Sequence, residues 1–272
     1  MSQLDSLPPL RESLADHGLL ADKSFGQHFL LDLNITRKIA RLAGPLEGQT
    51  VIEVGPGPGG LTRALVEAGA RVIAVEKDAR FLPLLNELAA VSDGRLTLVE
   101  ADALKVDEAA LAGGPGHVVS NLPYNVGTPL LIKWLTGPWR PVSMTLMFQK
   151  EVADRIAAPA GADAYGRLSV VSQALAKAKV VMDLPARAFT PPPKVASAVV
   201  RLDPLEDAPP AELVAALEKV TAAAFGQRRK MLRSSLRLLG GEALCELAGI
   251  DPNVRAETVP VEGFLRLARA LE

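Results

Sequence analysis

Asn121, Leu122, Pro123 and Tyr124 are consecutive and combine a side-chain amide, a proline-fixed main chain and an aromatic ring. Those are the parts needed to hold a flat nucleobase by an exocyclic amine. Such an amine is a poor nucleophile, because its lone pair is delocalised into the ring. The side-chain carbonyl of Asn121 and the main-chain carbonyl of Leu122 can each accept one of its hydrogens, which favours a pyramidal nitrogen with its lone pair aimed at an incoming methyl group. Pro123 has no N–H and fixes the turn, and Tyr124 offers a stacking face. Catalysis of this kind is mainly positioning and electrostatics for an in-line displacement. Taken alone, the tetrapeptide also reads as a proline-bearing strand exit with a packed tyrosine.

A glycine-rich turn lies upstream, Gly55-Pro56-Gly57-Pro58-Gly59-Gly60, after the short apolar run Val51-Ile52-Glu53-Val54. The turn fits both the dinucleotide pattern and that of S-adenosylmethionine. A pyrophosphate depends on backbone N–H donors, and the prolines at 56 and 58 remove two of them. S-adenosylmethionine carries no phosphate, and Glu53 supplies a carboxylate suited to its ammonium. Gly55, Gly57 and Glu53 are therefore candidate cofactor contacts. Glu76 and Asp102 end the next two predicted strands on the same sheet edge, where ligands sit in open α/β folds. Glu76 suits a ribose diol and Asp102 an adenine amino group. The plainer alternatives are a solvated strand end and, for Asp102, a cap on the turn that follows.

Two further segments carry candidates. Phe189 with Pro191-Pro192-Pro193 forms an extended, proline-rich stretch that can wall a slot for an unstacked base, or simply join two strands. Arg228, Arg229, Lys230, Arg233 and Arg237 lie between residues 225 and 240, with no acidic residue among them. The segment from Phe225 to Arg233 is expected to be a basic helix that follows RNA phosphates, the plain alternative being a solvated face.

These residues need a sheet to hold them. The runs 51–54, 71–76, 96–99, 117–120, 143–148, 180–184 and 197–202 are short and apolar, and helical periodicity separates most of them. A helix is expected to run from the Tyr165-Gly166-Arg167-Leu168-Ser169 segment to Lys179. The implied fold is α/β: a seven-stranded, mostly parallel, Rossmann-like sheet in residues 1–206, followed by a small all-helical domain in residues 207–272. The 272 residues are 49% hydrophobic, enough for a large core and a smaller one. No apolar run reaches the roughly 18 residues of a membrane span, and no basic, then hydrophobic, leader opens the chain. A cytoplasmic protein with no membrane association is expected. One cysteine, Cys245, and three scattered histidines give no metal-ligand spacing, so no metal is expected. The net charge of -1 does not favour nucleic acid by itself, but a neutral total can hide a basic patch.

The motifs together resemble the small-subunit rRNA adenine-N6,N6 dimethyltransferase family, the dimethyladenosine transferases. The resemblance runs through Phe25-Gly26-Gln27-His28-Phe29-Leu30, residues 53–60 and 121–124, Tyr165-Gly166-Arg167-Leu168-Ser169, residues 189–195 and residues 225–233. It implies a cytoplasmic methyltransferase that uses S-adenosyl-L-methionine to dimethylate two adjacent adenosines in the 3′-terminal hairpin loop of small-subunit (16S) rRNA. It also implies a role in rRNA processing and ribosome biogenesis, with an immature 30S subunit as partner and a monomeric enzyme. Implied cofactor contacts are His28, Leu30, Gly55, Glu76, Asp102 and Asn121. The family pattern has Asn where this chain has His28, and an imidazole N–H can donate in place of the amide. Tyr124, Phe189, Arg228, Arg229, Lys230 and Arg233 are the expected substrate contacts. Three other readings remain open: an assembly checkpoint factor with chemistry secondary, a nicotinamide dehydrogenase, and an adenine methyltransferase acting on 23S rRNA or DNA.

Overall fold

A computed structural model describes residues 3–19 and 28–272. The part of the expected site formed by Phe25, Gly26 and Gln27 lies outside the described residues. The chain divides into two units, residues 1–150 with 180–202 and residues 151–179 with 203–272.

All seven expected strands are present in one sheet, most of it in the first unit. In chain order they are β2 (Thr50–Val54), β3 (Arg71–Glu76), β4 (Leu96–Glu100), β5 (His117–Asn121), β6 (Met144–Gln149), β7 (Ala176–Leu184) and β9 (Ser197–Pro204). Their spatial order is β4-β3-β2-β5-β6-β9-β7. The first five run parallel, and β9 pairs antiparallel with β6. Val51, Ile52, Val72, Ala74, Val118 and Val119 are almost fully buried, as strands covered on both faces must be. Helices α2 (Leu33–Leu42), α3 (Gly60–Glu67) and α4 (Leu82–Ala90) supply much of the cover. Ile39, Ala40, Leu65, Val66 and Leu88 from these helices share one core with Val51, Val72 and Ala74.

A smaller sheet was not anticipated. Phe29 and Leu30 (β1), just before α2, pair antiparallel with Thr190 and Phe189 (β8). The proline-rich stretch is therefore hydrogen-bonded at its start rather than being a plain extended connection. Upstream, α1 (Leu10–Asp16) buries Leu10 and Leu14, and the Arg63 guanidinium donates to the Pro8 carbonyl at 2.8 Å.

Two expected helices are corrected. The one leading toward Lys179 ends at Leu175 (α8, Arg167–Leu175), and β7 starts at Ala176. Lys177 and Lys179 are exposed and alternate with the less exposed Ala178, a period of two that suits an edge strand protected by lysines. The basic segment is not one helix either. In the second unit, α9 (Ala211–Gly226) stops at Gly226, and residues 227–230 form a turn. Met231 then makes an isolated β-bridge with Arg255, and α10 (Leu232–Ser235) begins. The low helix propensity of Gly226 and the bridge from Met231 to Arg255 end the helix despite the favourable propensity of arginine and lysine. The unit closes with α11 (Gly241–Leu247) and α12 (Val261–Leu271). Its core gathers Tyr165, Val170, Leu217, Val220, Cys245 and Phe264, and the buried Tyr165 hydroxyl donates to the Val259 carbonyl at 2.9 Å.

Between β2 and β5 the strand order reverses, and paired positions are Val51 with His117 and Ile52 with Val118. Two residues further along, the Ser120 hydroxyl donates to the Val54 carbonyl at 2.6 Å, replacing a main-chain partner. Ser120→Ala is expected to lower stability by about 1–2 kcal/mol, measured by denaturant unfolding, because a buried carbonyl loses its donor. An unchanged midpoint would mean that this carbonyl is satisfied in another way.

Candidate active site

One cavity of about 490 Å³ opens at the carboxyl ends of β2, β3, β4 and β5. That size falls in the range of roughly 300–1,000 Å³ typical of small-molecule sites, and its place is the switch point where open α/β sheets bind ligands. His28, Leu30, Glu53, Gly55, Gly57, Glu76, Asp102, Asn121, Leu122, Pro123 and Tyr124 all line it. Phe189 does not; it is 3% exposed and packed in the core of the first unit. Pairing of β8 with β1 turns its ring inward, so the expected base-slot wall is corrected to a core residue. Arg228, Arg229, Lys230 and Arg233 are exposed in the second unit. The Arg228 guanidinium donates to the Asp163 carbonyl at 2.7 Å.

The glycine turn and the tetrapeptide touch. Gly55 has φ of +65°, and a Cβ there would lie 3.3 Å from Cγ and Cδ of Pro123, so backbone packs directly on the proline ring. Gly57, with φ of +53°, donates its N–H to Glu76 Oε2 at 3.1 Å. Oε1 of the same carboxylate accepts from the Asp78 N–H at 2.8 Å. Burial raises the pKa of Glu76, and these backbone donors offset part of the rise.

Glu53 is in a different state. It is 1% exposed, and among the described residues its Oε2 has no hydrogen-bond partner, nor does the nearby Thr62 hydroxyl. Burial pushes the Glu53 pKa from 4.5 up to about 8; proximity of Thr62 lowers it a little and the Glu76 charge adds to it. Asp102 goes the other way. Its Oδ2 accepts from Lys77 Nζ at 3.0 Å and its Oδ1 from the Leu104 N–H at 3.1 Å, and both hold its pKa below the usual range. Asp102 thus caps its turn and lines the cavity at once.

The amide end is oriented by short-range contacts. Asn121 Nδ2 lies 3.5 Å from the His28 carbonyl, which leaves Oδ1 as the acceptor. His28 Nδ1 lies 2.8 Å from the Pro191 carbonyl; a carbonyl only accepts, so Nδ1 carries the proton. The His28 and Tyr124 rings are 5.8 Å apart and tilted by 33°. The Tyr124 and Ser197 hydroxyls are 2.7 Å apart, and burial raises the tyrosine pKa. Ser120, Ser197, Lys133 and Glu108 are not among the residues singled out from the sequence, and Pro191 is singled out there only as a slot wall, not as the partner of His28. Only Lys133 left a trace, as a lone cation within the apolar run Leu130, Leu131, Ile132, Trp134, Leu135.

A mostly parallel seven-stranded sheet, a glycine turn at its switch point and an amide-bearing strand exit packed on that turn define a Rossmann-like methyltransferase. The family profile for ribosomal RNA adenine dimethylase matches residues 18–272. The chain belongs to that family. It is 72% identical over 268 residues to "Ribosomal RNA small subunit methyltransferase A" of Phenylobacterium zucineum, covering 98% of this chain and 94% of the relative. It is 75% identical over 251 residues to the protein of that name in Caulobacter vibrioides, covering 92% and 97%. A solved dimethyladenosine transferase from Plasmodium falciparum superposes with a TM-score of 0.74 at 25% identity, covering 88% of this chain and 96% of that one. The 23S rRNA methyltransferase ErmE superposes with a TM-score of 0.70 at 26% identity, covering 89% and 99%. Among the described residues no cluster of potential metal ligands occurs, and no helix is long and apolar enough to cross a membrane.

The Glu53 carboxyl generates a pH prediction. Its folded-state pKa lies above its ordinary value, so between about 4.5 and about 8 the ligand-free folded state holds a proton that the unfolded chain has released. Stability from this group is intact below that window and declines as pH rises through it. Relative to Glu53→Gln, the wild type should lose up to ~1.4 kcal/mol of stability per pH unit across the window. Parallel stability curves for the two proteins from pH 5 to 8 would contradict this.

Proposed function

We propose that the protein transfers methyl groups from S-adenosyl-L-methionine to N6 of two adjacent adenosines in the 3′-terminal hairpin loop of small-subunit rRNA. The observation that carries this reading is the contact between Gly55 and Pro123, which brings a cofactor-type turn and an amine-holding motif to one cavity. The names borne by the bacterial relatives favour the small-subunit substrate.

The lining residues fit the cofactor. Glu53 Oε2 is a buried acceptor with no partner among the described residues; a neighbouring ammonium would stabilise its ionised form, the proton being released to solvent. Each Glu76 oxygen accepts one backbone N–H, and its remaining lone pairs suit two ribose hydroxyls. Asp102 offers an acceptor for an adenine amino group. Pro56 and Pro58 lack the N–H donors a pyrophosphate would need, which disfavours a nicotinamide cofactor. When bound, S-adenosylmethionine supplies an electrophilic methyl group on sulfur.

The chain's own residues prepare the nucleophile. Asn121 Oδ1 and the Leu122 carbonyl accept the two hydrogens of the target amine, and the Tyr124 ring stacks on the base. The amine becomes acidic only once methylated, so no strong base is required at the motif. Burial of Leu122, at 2% exposure, and the Tyr124 to Ser197 hydrogen bond hold these groups still. Arg228, Arg229, Lys230 and Arg233, exposed on a turn and the short helix after it, are the proposed RNA phosphate contacts. Action as a monomer in the cytoplasm is part of this proposal, in keeping with an rRNA substrate.

Labelled S-adenosylmethionine incubated with unmethylated small subunits, naked rRNA and duplex DNA tests the assignment. Label is expected in the small-subunit RNA; label in duplex DNA alone would overturn it. Asn121→Ala should lower kcat by about 10²–10³-fold, the cost of losing one preorganised polar contact. Because subunit binding should survive in this variant, wild-type methylation by it would remove Asn121 from the mechanism. Tyr124→Ala should cost roughly 10- to 100-fold and Tyr124→Phe only a few-fold, as stacking resides in the ring. Equal losses in the two would assign the role to the hydroxyl.

A further inference from the structure

We infer that Lys133 is a positioning residue for residues 101–106, and through them for recognition of the cofactor's adenine. The inference rests on the reading of Asp102 given above. Lys133 sits in the last turn of α6 (Gly127–Thr136), the helix that begins directly after the amine-holding motif and lines the cavity with Leu130. Its side chain is 27% exposed. Nζ donates to the Ala103 carbonyl at 3.0 Å, to the Val106 carbonyl at 2.7 Å and to Glu108 Oε1 at 2.8 Å. An ammonium has three protons, so these partners use all of them and none is left for a substrate.

The anchor is itself fixed. Glu108 is buried, and its Oε1 also accepts from Trp134 Nε1 at 2.8 Å, with the Trp134 side chain 1% exposed. On the cavity side Asp102 closes the turn by accepting the Leu104 N–H, and its own carbonyl accepts from the Lys105 N–H at 2.8 Å. The turn that presents Asp102 is thus held from within by Asp102 and from behind by Lys133. Without the ammonium, two carbonyls lose the donor that sets the height of this turn against the adenine. The carboxylate would remain but no longer stand at the distance an amino group needs, which is the difference between a group being present and being aligned.

Lys133→Met alone would strand the buried Glu108 charge. The informative variant is Lys133→Met combined with Glu108→Gln, which removes both charges and leaves an amide oxygen to accept from Trp134. Glu108→Gln alone keeps the ammonium on both loop carbonyls and serves as control. Each protein is titrated with S-adenosylhomocysteine and with its inosine counterpart, in which oxygen replaces the adenine amine. Wild type and Glu108→Gln should prefer the adenine form by the same ratio, and the double variant should lose ~10-fold of that preference, one hydrogen bond to a charged acceptor. Its affinity for the inosine form should stay within about twofold of wild type. An unchanged preference, or equal loss of affinity for both ligands, would overturn the role of Lys133. If wild type itself shows no preference, the reading of Asp102 fails, and this inference with it.

Discussion

The pairing between β2 and β5 ends early, and the site depends on how the two strand ends are held apart. Paired positions reach only Ile52 and Val118, so the backbone groups beyond them need other partners. Val54 finds one in the Ser120 hydroxyl, and the Gly55 N–H donates to the Val75 carbonyl at 2.9 Å. The first bond ties β2 to β5 through a side chain, the second continues the β2–β3 ladder into the glycine turn, and Asn121 lines the cavity beside them. Proline and glycine then fill the narrowest point, where any side chain at position 55 would press on Pro123.

Three carboxylates in one cavity are kept in three electrostatic states. Glu53 is buried, its Oε2 has no hydrogen-bond partner among the described residues, and its pKa is pushed up to about 8. Glu76 is nearly as buried, yet two backbone N–H groups hold it, so its rise is partly offset. Asp102 sits beside Lys77, and its pKa is lowered. Similar charges within a small volume would repel if all ionised. Grading them by burial and donors suits the proposed division of the cofactor among them: a cation at Glu53, hydroxyls at Glu76, an amino group at Asp102.

Much of this was legible in the sequence because it is local. Strand runs such as Val51-Ile52-Glu53-Val54 carry their own period, and motif residues gather at the sheet edge once the strands are placed. What escaped was set by distant partners. Ser197 meets Tyr124 and Pro191 meets His28 only because β8 and β9 return to the site, which no local pattern encodes. Phe189 looked available beside its prolines, but strand pairing turned it into the core. The Arg-rich segment follows the same rule: its composition suits a helix, while the bridge from Met231 to the distant Arg255 breaks it after Gly226.

Calorimetric titration decides whether this cavity takes a thioether or sulfonium nucleoside of the S-adenosyl type or a dinucleotide. The protein should bind S-adenosylhomocysteine with one site per chain and show no heat with NAD, because Pro56 and Pro58 offer no N–H to a pyrophosphate. Tight binding of NAD with none of S-adenosylhomocysteine would make the cavity a dinucleotide site.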